Sequence, residues 1–173
     1  MNYMKNHKKY FKIFIFLSII IFFLGMLYGC LTPPNISNLY SNESKFTSIF
    51  FNNMKVSLTI LILGSITGGV ISQIILFANG FIIGKLVVLL YNKNLMFSLF
   101  TGLLPHLFIE LFGLILFASI AHMPIIFLIY WLKKSNFSFS RNDFLFYLKV
   151  SIIAIILIGI SAFIESTISI VTY

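Results

Sequence analysis

Acidic side chains are almost missing from this chain. Glu43, Glu110, Asp143 and Glu165 are the only four, against 12 lysines and arginines, and charged residues make up just 9% of the sequence. A soluble domain carries about a quarter. With 60% hydrophobic residues, this scarcity excludes a solvated globular fold and leaves an integral membrane protein. One cysteine, Cys30, excludes an intrachain disulfide and a cysteine-based zinc cluster. One aspartate, Asp143, excludes the aspartyl pair of an intramembrane protease. No GxSxG elbow, P-loop, HExxH or Cys–His nucleophile arrangement occurs, so neither an enzyme nor a cofactor is expected. A net charge of +8 on a soluble protein would suggest nucleic acid. Here no soluble surface or motif is available to bind it, and basic residues instead mark the cytoplasmic side of a membrane protein.

What the chain does have is long apolar runs. A crossing needs about 20 apolar residues. Residues 1–12 read as a basic cytoplasmic tail with Lys5, Lys8, Lys9 and Lys12, and 13–30 as the first transmembrane helix. Leu27-Tyr28-Gly29-Cys30 is close to a bacterial lipobox. Tyr28 is bulky where a small residue is usual and further spans follow, so the segment reads as an uncleaved first span. Pro33 and Pro34 stop that helix, and 31–48 reads as an extracytoplasmic loop before a helical membrane domain over 49–173.

Within that domain, Phe50 to Leu90 is too long for one crossing. It divides near Gly68–Gln73 into spans of about 50–71 and 74–91, with Asn79-Gly80 a competing turn. Tyr91–Asn94 is a polar break. Phe97 to Leu132 is either one long tilted helix or a half-helix broken at Pro105 and followed by a span, with a second kink or end at His122-Met123-Pro124. The last span runs from Phe144 to about Val171. The expected fold is an all-α polytopic bundle of about five transmembrane helices. Its amino terminus is cytoplasmic, because that places Lys5, Lys8, Lys9, Lys12, Lys133, Lys134, Arg141 and Lys149 inside, against Lys45, Lys55 and Lys93 outside. Lys85 snorkels from the third span.

Two small-xxx-small steps, Gly64 to Gly68 and Gly80 to Gly84, predict close packing between the second and third spans. The costly residues are polar. A charge at the centre of a span costs ~2.5–3.5 kcal/mol, so His106 and Glu110 in an apolar run ask for a reason. Four residues apart on a helix, they share a face, and a neutral pair or a shared proton is expected rather than two free charges. Asn53 and Asn79 read as interhelical hydrogen-bonders, and Glu165 as a partner for one of them or for His106. His-x3-Glu supplies too few ligands for a metal. His122, sixteen residues beyond His106 and about 160° around a helix, points elsewhere. Three uses of the polar group stay open: a packing contact, a path for a proton or substrate, and a docking site for another membrane protein.

Several of these pieces share an order. Phe51-Asn52-Asn53-Met54-Lys55-Val56-Ser57 opens the second span, followed by Gly64-x3-Gly68, Asn79-Gly80-x3-Gly84, Leu104-Pro105-His106-x3-Glu110, and Ala162-Phe163-Ile164-Glu165-Ser166-Thr167. Over about residues 46–170 the chain resembles the stage II sporulation protein M family. That family usually reads Pro-His-Gly-x-x-Glu where this chain has Leu107 in place of the glycine. The resemblance implies a small non-enzymatic polytopic protein of the bacterial cytoplasmic membrane. In sporulating bacteria such a protein is an anchor for septal peptidoglycan-degrading proteins. Similar proteins accompany circular bacteriocin genes, as partners of an ABC-type transporter in export or immunity. The implied partners are therefore membrane lipid and other membrane proteins.

Overall fold

The computed structural model describes residues 2–32, 46–133 and 140–168. Their helices are α1 (Asn2–Leu31), α2 (Phe46–Ile66), α3 (Val70–Asn92), the short α4 (Met96–Ser98), a π-turn (Leu99–Leu103), α5 (Leu104–Ala121), α6 (Met123–Lys133) and α7 (Arg141–Ile168). Five helical segments are long and apolar enough to cross a membrane, with α5 and α6 together forming one of 35 residues. The chain is a multi-pass membrane protein. Residues 2–12, expected as a separate tail, are the first turns of α1. Most of the expected 31–48 loop, with Glu43 and Lys45, and the neighbourhood of Lys134 lie outside the described residues.

Each break has a local cause. α2 ends where Gly68 and Gly69 take φ of 64° and 96°, a region open to glycine at little cost. The Gly69 amide donates back to the Gly64 carbonyl at 2.6 Å, closing the helix end. The Thr67 hydroxyl accepts the Ile71 amide at 3.2 Å, opening α3. The second break therefore falls at Gly68, as the sequence suggested, while Asn79-Gly80 stays inside an unbroken α3. α3 ends at the polar stretch, where Asn94 takes φ of 59° and the Leu95 amide reaches the Leu90 carbonyl at 2.8 Å.

Pro105 lies in the first turn of α5. It has no amide to give the Thr101 carbonyl and its ring crowds that carbonyl. The wider π-turn over 99–103 directly precedes it. Pro105 therefore stands where the π-turn passes into α5. The true interruption is at His122, between α5 and α6. α7 opens on a reciprocal cap: the Asp143 amide donates to Ser140 Oγ at 3.1 Å, and the Ser140 amide to Asp143 Oδ2 at 3.2 Å. The one aspartate is a buried helix cap.

α5 is the central element. Half of the apolar window of Leu99–Lys133 is buried, against 22–28% in the other four spans. It packs on α7, α2 and α1. Gly113 of α5 brings Ile158 of α7 close, with 3.0 Å between that side chain and the place a Cβ would occupy. The core there is Ile60, Leu76, Leu114, Phe117, Ala118, Ala154 and Ile158.

The closest helix pair is not the one expected. Gly80 and Gly84 of α3 lie against the Phe22 and Met26 carbonyls of α1, and Gly25 and Gly29 of α1 lie against the Phe77 and Phe81 carbonyls of α3. A Cβ at any of the four would strike backbone. The two helices run parallel and interlock through two small-xxx-small steps, one on each. Gly64 does serve the α2–α3 contact, facing Ser72, whose hydroxyl donates to the Ile60 carbonyl at 2.9 Å. Gly68 serves the turn, where its nearest neighbour is Ile125 of α6. Gly80 and Gly84, expected to face α2, thus face α1 instead. Gly25 and Gly29 were not expected there, because glycines in an apolar first span carry no signal of their partner.

Candidate functional site

The described basic residues divide between the two ends of the bundle. Lys8, Lys9, Lys12, Lys133, Arg141 and Lys149 sit in the half where α1 and α7 begin and α6 finishes. Lys55, Lys85, Lys93 and the carboxylates of Glu110 and Glu165 belong to the other half. Two polar sites lie inside the bundle, one in each half.

The first site is built on the start of α5 and the end of α7. His106 is buried, and its ring hydrogen-bonds the backbone of Gly102 in the π-turn. The turn that Pro105 forces therefore holds the imidazole by its own backbone. His106 Nε2 lies 3.9 Å from Glu165 Oε2, within electrostatic reach but longer than a direct hydrogen bond. Glu110, one turn below His106 on α5, lies within Coulombic reach of Glu165. The Ser161 hydroxyl donates to the His106 carbonyl at 3.1 Å and locks α7 to α5 at this level. The carboxylate that faces His106 is thus Glu165, from another helix, and Glu110 joins the group through Glu165.

Asn53 belongs at the same height. Gly64 of α2 faces Ala121 of α5, and Asn53 and Glu110 each lie eleven residues before those two positions. Eleven residues is about three turns, so on parallel helices both return to the shared face at one level. Asn53 is buried, and its Nδ2 has no hydrogen-bond partner among the described residues. Its carbonyl accepts the Ser57 hydroxyl at 2.7 Å. Asn79 is different: its amide donates to the Ile75 carbonyl of its own helix at 2.9 Å. Leu107, beside His106, is a buried side chain.

The second site was not read from the sequence. Gln73 Nε2 donates to Ser18 Oγ at 2.9 Å and lies 3.3 Å from His122 Nε2. His122 Nδ1 is 2.7 Å from the Ala118 carbonyl. A carbonyl only accepts, so Nδ1 carries the proton and Nε2 accepts from the Gln73 amide. The ring stacks on Phe14 at 4.1 Å and 17°. Gly69 also presses on the ring, where a Cβ would meet ring atoms. The group ties α1, α3 and the α5–α6 break together. Its available signal was Gln73, the one glutamine of the chain and an amide inside an apolar run.

Between the sites lie about 24 Å of helix rise from His106 to His122 and the fully packed side chains Ile60, Leu76, Leu114 and Phe117. No group of three or more His, Cys, Asp or Glu among the described residues could hold a metal ion.

An all-helical, five-span bundle with a polar knot where its fourth and fifth spans meet defines a small polytopic membrane protein. The chain belongs to the stage II sporulation protein M family, whose model matches residues 13–170 and so takes in the first span as well. It is similar to an uncharacterized protein of Methanocaldococcus jannaschii, 34% identical over 165 residues that cover 89% of this chain and 92% of the relative. No solved structure matches it.

Proposed function

We propose that this protein is a non-enzymatic anchor in the cytoplasmic membrane of a bacterium, recruiting another membrane protein through the His106–Glu110–Glu165 site. The observation that carries this reading is the opening of the site. The His106 side chain is 10% exposed and that of Glu165 31%. A purely internal packing contact would have both carboxylate oxygens sealed. Here one carboxylate stands at the rim of the bundle with a buried histidine behind it. That arrangement offers a partner helix charge and hydrogen-bonding groups where lipid offers none.

The family favours a peptidoglycan-remodelling partner. The other reading, a subunit of a peptide export or immunity system whose polar residues line a path, has less support. The packed side chains of Ile60, Leu76, Leu114 and Phe117 separate the two polar sites, which suits an anchor better than a conduit.

The test is co-purification of tagged full-length protein with its membrane partners. Glu165→Gln and His106→Ala are expected to insert normally and to lose the partner. If both variants keep the partner while transport or resistance is abolished, the anchor reading fails.

A further inference from the structure

The first turns of α1 present a surface that the recruiting site does not use. Lys8, Lys9 and Lys12 line a shallow groove of about 490 Å³ with Ile13 and Phe16. All five are exposed. Lys9, Lys12, Ile13 and Phe16 follow one another at helical steps of three or four or by adjacency, so they form one stripe. The stripe continues through exposed Ile20, Leu24 and Leu27. It is therefore basic at one end and apolar along the rest.

None of the three lysines pairs with a carboxylate among the described residues. The Lys8 Nζ lies over the Phe146 ring at 5.6 Å, which ties the edge of the groove to α7. The described carboxylates are committed elsewhere. Glu110 and Glu165 belong to the opposite half, and buried Asp143 is bonded to Ser140. No described carboxylate balances these three adjacent ammonium groups, which leaves them open to an anion from the membrane. The apolar continuation says what kind of anion it is.

We propose that this stripe binds one anionic glycerophospholipid of the adjoining leaflet, with its phosphate on Lys8, Lys9 and Lys12 and an acyl chain along Phe16 and Ile20. Clustered lysines beside a span attract anionic headgroups. Phe16 and Ile20 add the surface that a soluble polyanion cannot use.

The test is native mass spectrometry of the full-length protein released from detergent with equal phosphatidylglycerol and phosphatidylcholine. Wild type is expected to retain phosphatidylglycerol preferentially, with the preference falling as salt rises. Lys8→Gln/Lys9→Gln/Lys12→Gln is expected to lower it by roughly fivefold per lysine, and the triple arginine variant to keep it. Phe16→Ala is expected to weaken retention of both lipids. The wild-type competition stands even if the glutamine variant inserts poorly. Equal retention of the two lipids by wild type overturns the proposal. So does displacement of the lipid by soluble glycerophosphoglycerol, which would mark a phosphate site. Preferential capture of a short oligonucleotide overturns it as well.

Discussion

His106 of α5 and Glu165 of α7 face each other at 3.9 Å across two spans that the sequence separates by a basic loop. The contact is electrostatic rather than a short hydrogen bond, and it lies at the rim of the bundle. A double-mutant cycle of His106→Ala and Glu165→Gln, read by unfolding in lipid or detergent, is expected to show a coupling of about 0.5–1.5 kcal/mol. That is the range of interhelical polar pairs in bilayers. Fully additive single variants would mean that the two side chains do not communicate.

The glycine interlock is expected to tolerate alanine poorly and leucine not at all. Gly84→Leu drives its side chain into the Met26 carbonyl and Gly25→Leu into that of Phe77. Overpacking costs about 1–3 kcal/mol in a core that can adjust, and backbone cannot adjust as side chains do. A fall of at least this size in unfolding free energy is expected for either variant. Gly159→Ala serves as the comparison, because its added Cβ stays 3.7 Å from Phe50 and should change little.

Gly68 carries a different constraint. With φ at 64° and an added Cβ that only reaches ordinary contact with Ile125 at 3.4 Å, Gly68→Ala meets backbone strain, not a clash. A loss of about 1–2 kcal/mol is expected, and Gly68→Asn should recover part of it. Equal stability of the alanine variant would show that the turn relaxes.

Gln73→Leu removes the donor to both Ser18 and His122 and strands the His122 Nε2 acceptor. The expected loss is about 1–3 kcal/mol for a buried acceptor left unmet. His122→Phe on top of it should restore part of that loss, since the stack on Phe14 is kept while the unmet nitrogen is removed. Thermal unfolding of the two single variants and the double variant measures the recovery.

The start of α7 gives the simplest prediction. Ser140→Ala removes the hydroxyl that accepts the Asp143 amide. Loss of such a cap costs about 0.5–2 kcal/mol. Faster amide exchange over residues 141–146, with the rest of the chain unchanged, is the expected signature.

The helices and their breaks were legible because lipid imposes a simple rule. Apolar length sets the spans, and Gly68, Asn94 and His122–Pro124 stand where that length runs out. Glu165 was legible as a partner of His106 only as one choice among several, since nothing in a single sequence tells which helices touch. The same blindness assigned Gly80 and Gly84 to α2. Their real partners, Gly25 and Gly29, look like ordinary small residues until backbone positions are known. Ser18, Gln73 and His122 were missed for a related reason. Gln73 alone stands out, as an amide inside an apolar run, and only the fold brings three helices to one hydrogen-bonded point.

The parallel α1–α3 interlock also sets an order of assembly. α1 is synthesised first, yet the carbonyl ridges and glycines that fit it belong to α3, beyond the whole of α2. α2 cannot substitute, because it runs the other way and has its own seat on α5 and α7. Lipid has to leave the glycine groove of α1 before the two backbones can touch, so the close α1–α3 seat is one that lipid cannot share.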